Sequence, residues 1–304
     1  MATNVMASSA NKSIVISIDG NIGSSKSTLL EFLRTKFPDE YVYVDEPLNK
    51  WDQIKDAKGQ TILQKFYEDQ HKYAFSFQTM ALLSRLIAIR DAITANPGKV
   101  IVSERSLYTD KLVFAKMLFE SGIIEDVNYQ IYLSWFDAFI SQCEVDAIVY
   151  IKTDPKVCRE RITKRLREGE ECIPLEYLEN CAKYHDAMVS ELAKPTLTLN
   201  GNIDLKDKPD LLSGWAQQIS EFITNKREED AFLQNLNIYL NQPRAKGDVS
   251  LTPVGSSSLG FLDECADERF WKQVDYMEAR CDMADKRAND AFKRGMRMDS
   301  KSNL

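Results

Sequence analysis

The sequence is short of histidine and has no closely paired cysteines. Its 304 residues include two histidines, His71 and His185, and six cysteines (Cys143, Cys158, Cys172, Cys181, Cys265, Cys281) without a CxxC pair. Zinc sites need Cys and His clustered at short spacing, so a zinc-dependent fold or reaction is not expected. Reduced thiols in an intracellular protein are the expectation. No apolar run reaches the length of about 18 residues that a transmembrane helix needs, and no membrane partner is expected. Positive charge is in deficit: 39 Lys and Arg against 46 Asp and Glu leave a net charge of −7. A bulk basic surface for nucleic acid is therefore not expected, although an acidic protein can still hold a basic pocket for a small anion. The opening stretch, MATNVMASSANKS, lacks both an apolar core and an arginine. It predicts neither a secretory signal nor a mitochondrial presequence, but a disordered tail over 1–12. A cytoplasmic location is expected, with a mitochondrial one left open.

What is present is the make-up of a globular protein, 44% hydrophobic and 28% charged. Short β-branched runs (Ile14–Ile18, Tyr41–Val44, Val100–Ser103, Ala147–Ile151, Thr196–Leu199) alternate with segments of helical spacing such as Ile62–Ile93 and Leu175–Leu192. Near-continuous apolar strands separated by helices predict a five-stranded parallel sheet covered on both faces, an α/β domain over 13–223. Beyond it, 224–304 reads as a C-terminal extension. A Pro-, Gly- and Ser-rich linker over Asn241–Leu259 leads to a helical tail over Phe261–Arg297.

The first strand runs into Asp19-Gly20-Asn21-Ile22-Gly23-Ser24-Ser25-Lys26-Ser27-Thr28, and an apolar helix follows. This nearly fits the phosphate loop G-x-x-x-x-G-K-[ST], in which backbone N–H groups and a helix N-terminus face phosphate oxygens. Lys26 would reach the outer phosphates, and Ser27 would ligate Mg²⁺. Ser25 stands where glycine is expected, which predicts weakened nucleotide binding. Two more strands end in charged residues: Asp45-Glu46-Pro47, and Ser103-Glu104-Arg105-Ser106. In open parallel sheets ligands sit beyond the strands' carboxyl ends, so these groups are expected beside the loop. Glu46 could take a proton from an attacking hydroxyl, Glu104 could hold Mg²⁺, and Arg105 could brace Glu46 or a phosphate. The segment Lys156–Arg167 has six basic residues and one acidic one, the composition of either a phosphate clamp or a solvated helix face.

Taken together, GNIGSSKST (20–28), DEPLNKW (45–51), FYEDQHKYAFSFQTMALLSR (66–85), SERSLYTD (103–110), RITKRLREGEECIPLEYL (161–178) and LTLNGNIDLKDK (197–208) resemble the deoxynucleoside kinase family, most closely its deoxycytidine/deoxyguanosine kinase branch. The resemblance covers about 13–223. It implies a P-loop NTPase fold of nucleoside-kinase type, with ATP or another NTP as phosphate donor, Mg²⁺, a deoxynucleoside acceptor and nucleotide salvage as the role. It implies Glu46 as the base, with Glu104 of the Glu-Arg-Ser motif as the alternative base and Arg105 beside it, and Tyr67 and Glu176 on the sugar 3′-hydroxyl. Gln78 would read the base edge between Trp51, Phe77 and Phe114. Arg161, Arg165 and Arg167 would form a lid, and Ile203, Asp204 and Leu205 would lie beside adenine. An Arg85–Asp110 pair next to Ala81 implies that deoxycytidine, deoxyadenosine or deoxyguanosine is preferred over thymidine. A homodimer through a helix pair is also implied. Two alternatives stay open on sequence: a nucleotide kinase such as thymidylate kinase, and a non-catalytic scaffold with this fold and a decayed phosphate loop.

Overall fold

A computed structural model describes residues 12–165, 173–203 and 208–240. The elements run β1 (Ile14–Gly20), α1 (Lys26–Lys36), β2 (Tyr41–Val44), α2 (Leu48–Asp52), α3 (Ile62–Glu68), α4 (Gln70–Ala95), β3 (Val100–Glu104), α5 (Leu107–Thr109), a π-helical turn (Asp110–Ala115), α6 (Lys116–Glu120), α7 (Asp126–Phe139), β4 (Ala147–Lys152), α8 (Pro155–Arg165), α9 (Leu175–Leu192), β5 (Thr196–Asn200) and α10 (Pro209–Leu240). The five strands form one parallel sheet in the order β2-β3-β1-β4-β5.

Strand alternation explains the two cores. Ile16 and Ile18 of β1, Val100 and Val102 of β3, and Val149 and Ile151 of β4 point to one face, where α1 and Trp215, Ile219 and Ile223 of α10 cover them. Val15, Ile101, Ile148 and Tyr150 point to the other face, against Leu82, Leu86 and Ile89 of α4 and Tyr132 and Phe136 of α7. Each expected strand is present, and β1 runs two residues further, to Gly20.

The 62–93 pattern is two helices rather than one. Asp69 breaks it with φ −145 and ψ 85, and its side chain accepts from Lys72 N to cap α4. A capping box between Thr61 and Gln64 starts α3. At the far end α10 runs unbroken through Ile223 to Leu240. The expected tail over 1–12 lies, but for Lys12, outside the described residues, as do the linker and helical tail beyond 240. Cys143, Cys158 and Cys181 are buried and unpaired. Burial pushes the Cys158 thiol up to about 11 and that of Cys181 to about 12, which leaves both protonated and inert. Among the described residues no helix is long and apolar enough to cross a membrane.

Candidate active site

Register puts the charged strand ends together. Ile18 pairs with Glu104, Gly20 with Ile151, and Val44 with Ser103. The loop after β1, the Glu104–Arg105 turn and Glu46 therefore meet at the carboxyl edge of the sheet, where the strand order switches around β1. A cavity of about 240 Å³ opens there.

One wall is the phosphate loop. Ile22, Gly23, Ser25, Lys26, Ser27 and Thr28 line the cavity, while Gly20, Asn21 and Ser24 lie behind them. Gly23 has φ +80, and a Cβ there would meet the Cys158 carbonyl of α8 at 2.7 Å, so only glycine lets that helix close on the loop. Ser25 adopts φ 71 and ψ 25, the left-handed conformation for which glycine is the usual residue, and its side chain does not cap α1. Lys26 Nζ donates to the Asn21 carbonyl at 2.8 Å. Burial, followed by repulsion from Arg105, lowers its pKa to about 8. Asn21 Nδ2 in turn donates to Leu178 O of α9 at 2.8 Å.

The floor is a charge network. Glu46 Oε1 faces Arg85 Nη2 at 3.2 Å and Arg105 Nε at 3.3 Å. Burial alone would raise the Glu46 pKa, but Arg105, Arg85 and Lys26 together outweigh it and hold the carboxylate below its ordinary value. Arg85 also donates from Nε to Asp110 Oδ2 at 2.9 Å and from Nη1 to the Glu104 carbonyl at 2.6 Å. Burial works against the Arg85 charge, but Asp110 and Glu46 overcome it and raise its pKa. Burial pushes Asp110 up even with Arg85 beside it. Arg105 is a second non-glycine residue at positive φ (65), and its guanidinium sits 4.9 Å from the Phe114 ring centroid. Ser27 Oγ donates to Glu104 Oε1 at 3.1 Å. A hydroxyl and a carboxylate in contact are the hard oxygen donors that fit Mg²⁺, which typically takes one or two protein ligands and completes its shell with phosphates and water.

The far wall is aromatic. Phe77 stacks on Phe66 at 4.9 Å and meets the edge of Trp51 at 5.3 Å. Trp51 Nε1 is fixed by Ser84 Oγ at 2.9 Å. Gln78, 2% exposed, lines the slot with Ala81, Tyr67 and Phe114. Its amide makes no hydrogen bond among the described residues, which leaves a donor–acceptor pair for a ligand.

The remaining expected residues are placed differently. Arg165 lines the cavity. Arg161 stands outside its wall and donates from Nη2 to the Ile203 carbonyl at 2.9 Å, which joins α8 to the loop after β5. Its Nη1 is buried without a partner among the described residues. Glu176 is exposed on the first turn of α9 and does not line the cavity, whereas its neighbour Tyr177 does. Arg167, Asp204 and Leu205 lie outside the described residues. Sequence reasoning missed Tyr177 and Phe66, each one residue from a chosen position, and also His185, whose only sequence signal was its rarity.

The deoxynucleoside kinase family model matches residues 16–224. Deoxycytidine kinase 2 of Gallus gallus is 36% identical over 240 residues, covering 69% of this chain and 90% of the relative. Deoxycytidine kinase of Homo sapiens is 33% identical over 242 residues, covering 69% and 90%. The mitochondrial deoxyguanosine kinase of Xenopus laevis is 30% identical over 230 residues, covering 70% and 85%. The chain belongs to the deoxynucleoside kinase family.

Proposed function

We propose that this deoxynucleoside kinase transfers the γ-phosphate of ATP to the 5′-hydroxyl of deoxycytidine, deoxyadenosine or deoxyguanosine in preference to thymidine. One observation carries the reading. Glu46 Oε1 is held by two arginines, Arg85 and Arg105, at the junction between the phosphate loop and the aromatic slot. A hydroxyl bound beside it would face an ionised carboxylate on one side and the phosphate site on the other.

In this mechanism Glu46 accepts the 5′-hydroxyl proton as the new P–O bond forms and the bond to the ADP leaving group breaks. A carboxylate held below its ordinary pKa is a weak base. That suffices because the transition state is loose and the hydroxyl becomes acidic only late in transfer. Lys26, Arg105, Arg165 and Arg167 hold the transferring group, and Arg161 Nη1, without a partner among the described residues, would reach another phosphate oxygen once α8 moves toward the nucleotide. Ser27 and Glu104 would hold Mg²⁺, which when bound neutralises phosphate charge. Gln78 reads the base edge between Trp51, Phe77 and Phe114. Tyr67 takes the sugar 3′-hydroxyl, and Glu176 joins it if the start of α9 turns inward on binding. Ile203, Asp204 and Leu205 flank the adenine.

Selectivity rests on Arg85, 1% exposed and paired with Asp110 at 2.9 Å. Together they fill the space a thymine methyl would need. The test is turnover of the four deoxynucleosides with ATP·Mg. Little transfer to thymidine is expected; thymidine as the best acceptor would refute the selectivity. The scaffold alternative finds no support in relatives whose names are those of kinases.

We also propose a homodimer. Val127, Ile131 and Trp135 of α7 are 65%, 42% and 45% exposed. They follow one another at i, i+4 and i+8, one apolar stripe on one helix face. Ile87 of the adjoining α4 is exposed as well.

A further inference from the structure

His185 is fully buried and takes no part in the mechanism above. Its Nδ1 lies 2.7 Å from the Cys181 carbonyl, one turn earlier in α9. A carbonyl only accepts, so Nδ1 carries the proton and Nε2 offers a lone pair. That lone pair lies 3.3 Å from Arg105 Nη1. Burial, with Arg105 and Lys26 nearby, keeps the ring neutral, well below the usual imidazole range. Tyr150 lies parallel to the ring at 6.3 Å and Phe114 meets it edge-on at 6.2 Å, so the ring cannot easily turn.

The protons of Arg105 can then be counted. Nε lies 3.3 Å from Glu46 Oε1, an ion pair without an aligned N–H···O bond. Nη1 donates to the Gly20 carbonyl at 2.9 Å and meets His185 at 3.3 Å, which uses both of its protons. Nη2 has no partner among the described residues, and Arg105 lines the cavity. The left-handed backbone at Arg105 (φ 65) aims the side chain back under the phosphate loop and into this cluster.

We propose that His185 is a positioning residue for phosphoryl transfer: through Nε2 it accepts one Nη1 proton of Arg105 and so fixes the guanidinium plane, with both Nη2 protons left for phosphate oxygens. The ring packs against Arg105 and does not line the cavity. The proposal rests on the reading that Arg105 holds the transferring phosphoryl group.

The test compares His185→Phe, which keeps an aromatic ring but no acceptor, with His185→Gln, whose Oε1 can stand where Nε2 does. The kcat of His185→Phe should fall about 10- to 100-fold, the loss of a hydrogen bond to a charged group. The nucleoside KM should stay within about twofold, because the base slot is untouched. His185→Gln should recover most of the loss. A His185→Phe enzyme with wild-type kcat, or equal impairment of both variants, would overturn the proposal. Arg105→Met is the control. If it is inactive while His185→Phe is fully active, only the role of His185 falls. If it is fully active, the reading of Arg105 falls as well. A further readout needs no variant: nitrogen NMR of the wild-type ring at pH 7, with His71 the only other histidine to assign. A protonated Nδ1 and bare Nε2 are expected; a proton on Nε2 would overturn the proposal.

Discussion

Arg85 Nη2 and Glu46 Oε1 stand 3.2 Å apart, and the same guanidinium holds Asp110 from its Nε at 2.9 Å. The pair proposed to exclude thymidine is thus also one of the two supports of the proposed base, so selectivity and turnover are physically linked. Removing Arg85 alone should leave Asp110 as a buried carboxylate without its paired cation. Arg85→Met is expected to cost about 3–5 kcal/mol of stability, read by urea denaturation. Arg85→Met/Asp110→Ala should regain much of that stability and raise the thymidine-to-deoxycytidine ratio of kcat/KM. A single and a double variant of equal stability would contradict the coupling.

Glu46→Gln keeps an oxygen for the two arginines but removes the base. The kcat should drop about 10²- to 10⁴-fold with a much smaller change in nucleoside KM. Steady-state kinetics at saturating ATP·Mg measures it. An unchanged kcat would move the base role to Glu104.

Lys26 gives the pH dependence. Its pKa is lowered to about 8, so it is charged below that pH and neutral above it. The kcat/KM for ATP, which reports the free enzyme, should therefore fall as pH rises through about 8. Bound phosphate favours the charged amine, so kcat should hold to a higher pH. A flat kcat/KM profile from about pH 7 to 9.5 would contradict this.

Ser25 is the residue at which sequence and backbone conflict. A non-glycine residue in its left-handed conformation costs about 1–2 kcal/mol, and the extra unfolded-state freedom of glycine gives back about 0.5–1 kcal/mol of that difference. Ser25→Gly should therefore change stability little, while the ATP KM falls severalfold as the Cβ leaves the phosphate wall. Ser25→Val, β-branched at positive φ, should do the reverse. Melting temperature and ATP KM for both variants check this, and equal KM values would refute it.

The sheet and the strand–loop–helix around Lys26 were legible in the sequence because both are local. Fully buried parallel strands read as β-branched runs, and strand–loop–helix with Lys26-Ser27 marks the loop by spacing alone. Ser25 stood out in the sequence as a serine in glycine's place, and its backbone is left-handed. What could not be read depends on contacts distant in sequence. The break at Asp69 is a capping choice inside a helical pattern. His185 is defined by Arg105, a residue on another element. Tyr177 rather than Glu176 faces the cavity because the buried side of α9, with Leu178 and Cys181, fixes the helix's rotation. The family resemblance pointed to Glu176, not to the direction that residue faces in this structure.

The dimer proposal has a simple check. Trp135→Glu puts a charge in the middle of the α7 stripe. A shift to monomer by sedimentation, with the fold retained by circular dichroism, is the expected result. A wild-type chain that sediments as a monomer would refute it.

The central claim is tested most directly by one assay on the wild-type protein: radiolabelled phosphoryl transfer from ATP·Mg to each of the four deoxynucleosides. The account predicts 5′-monophosphate from deoxycytidine or a purine deoxynucleoside and little from thymidine. Thymidine as the preferred acceptor, or no transfer to any of the four from folded protein, would contradict it.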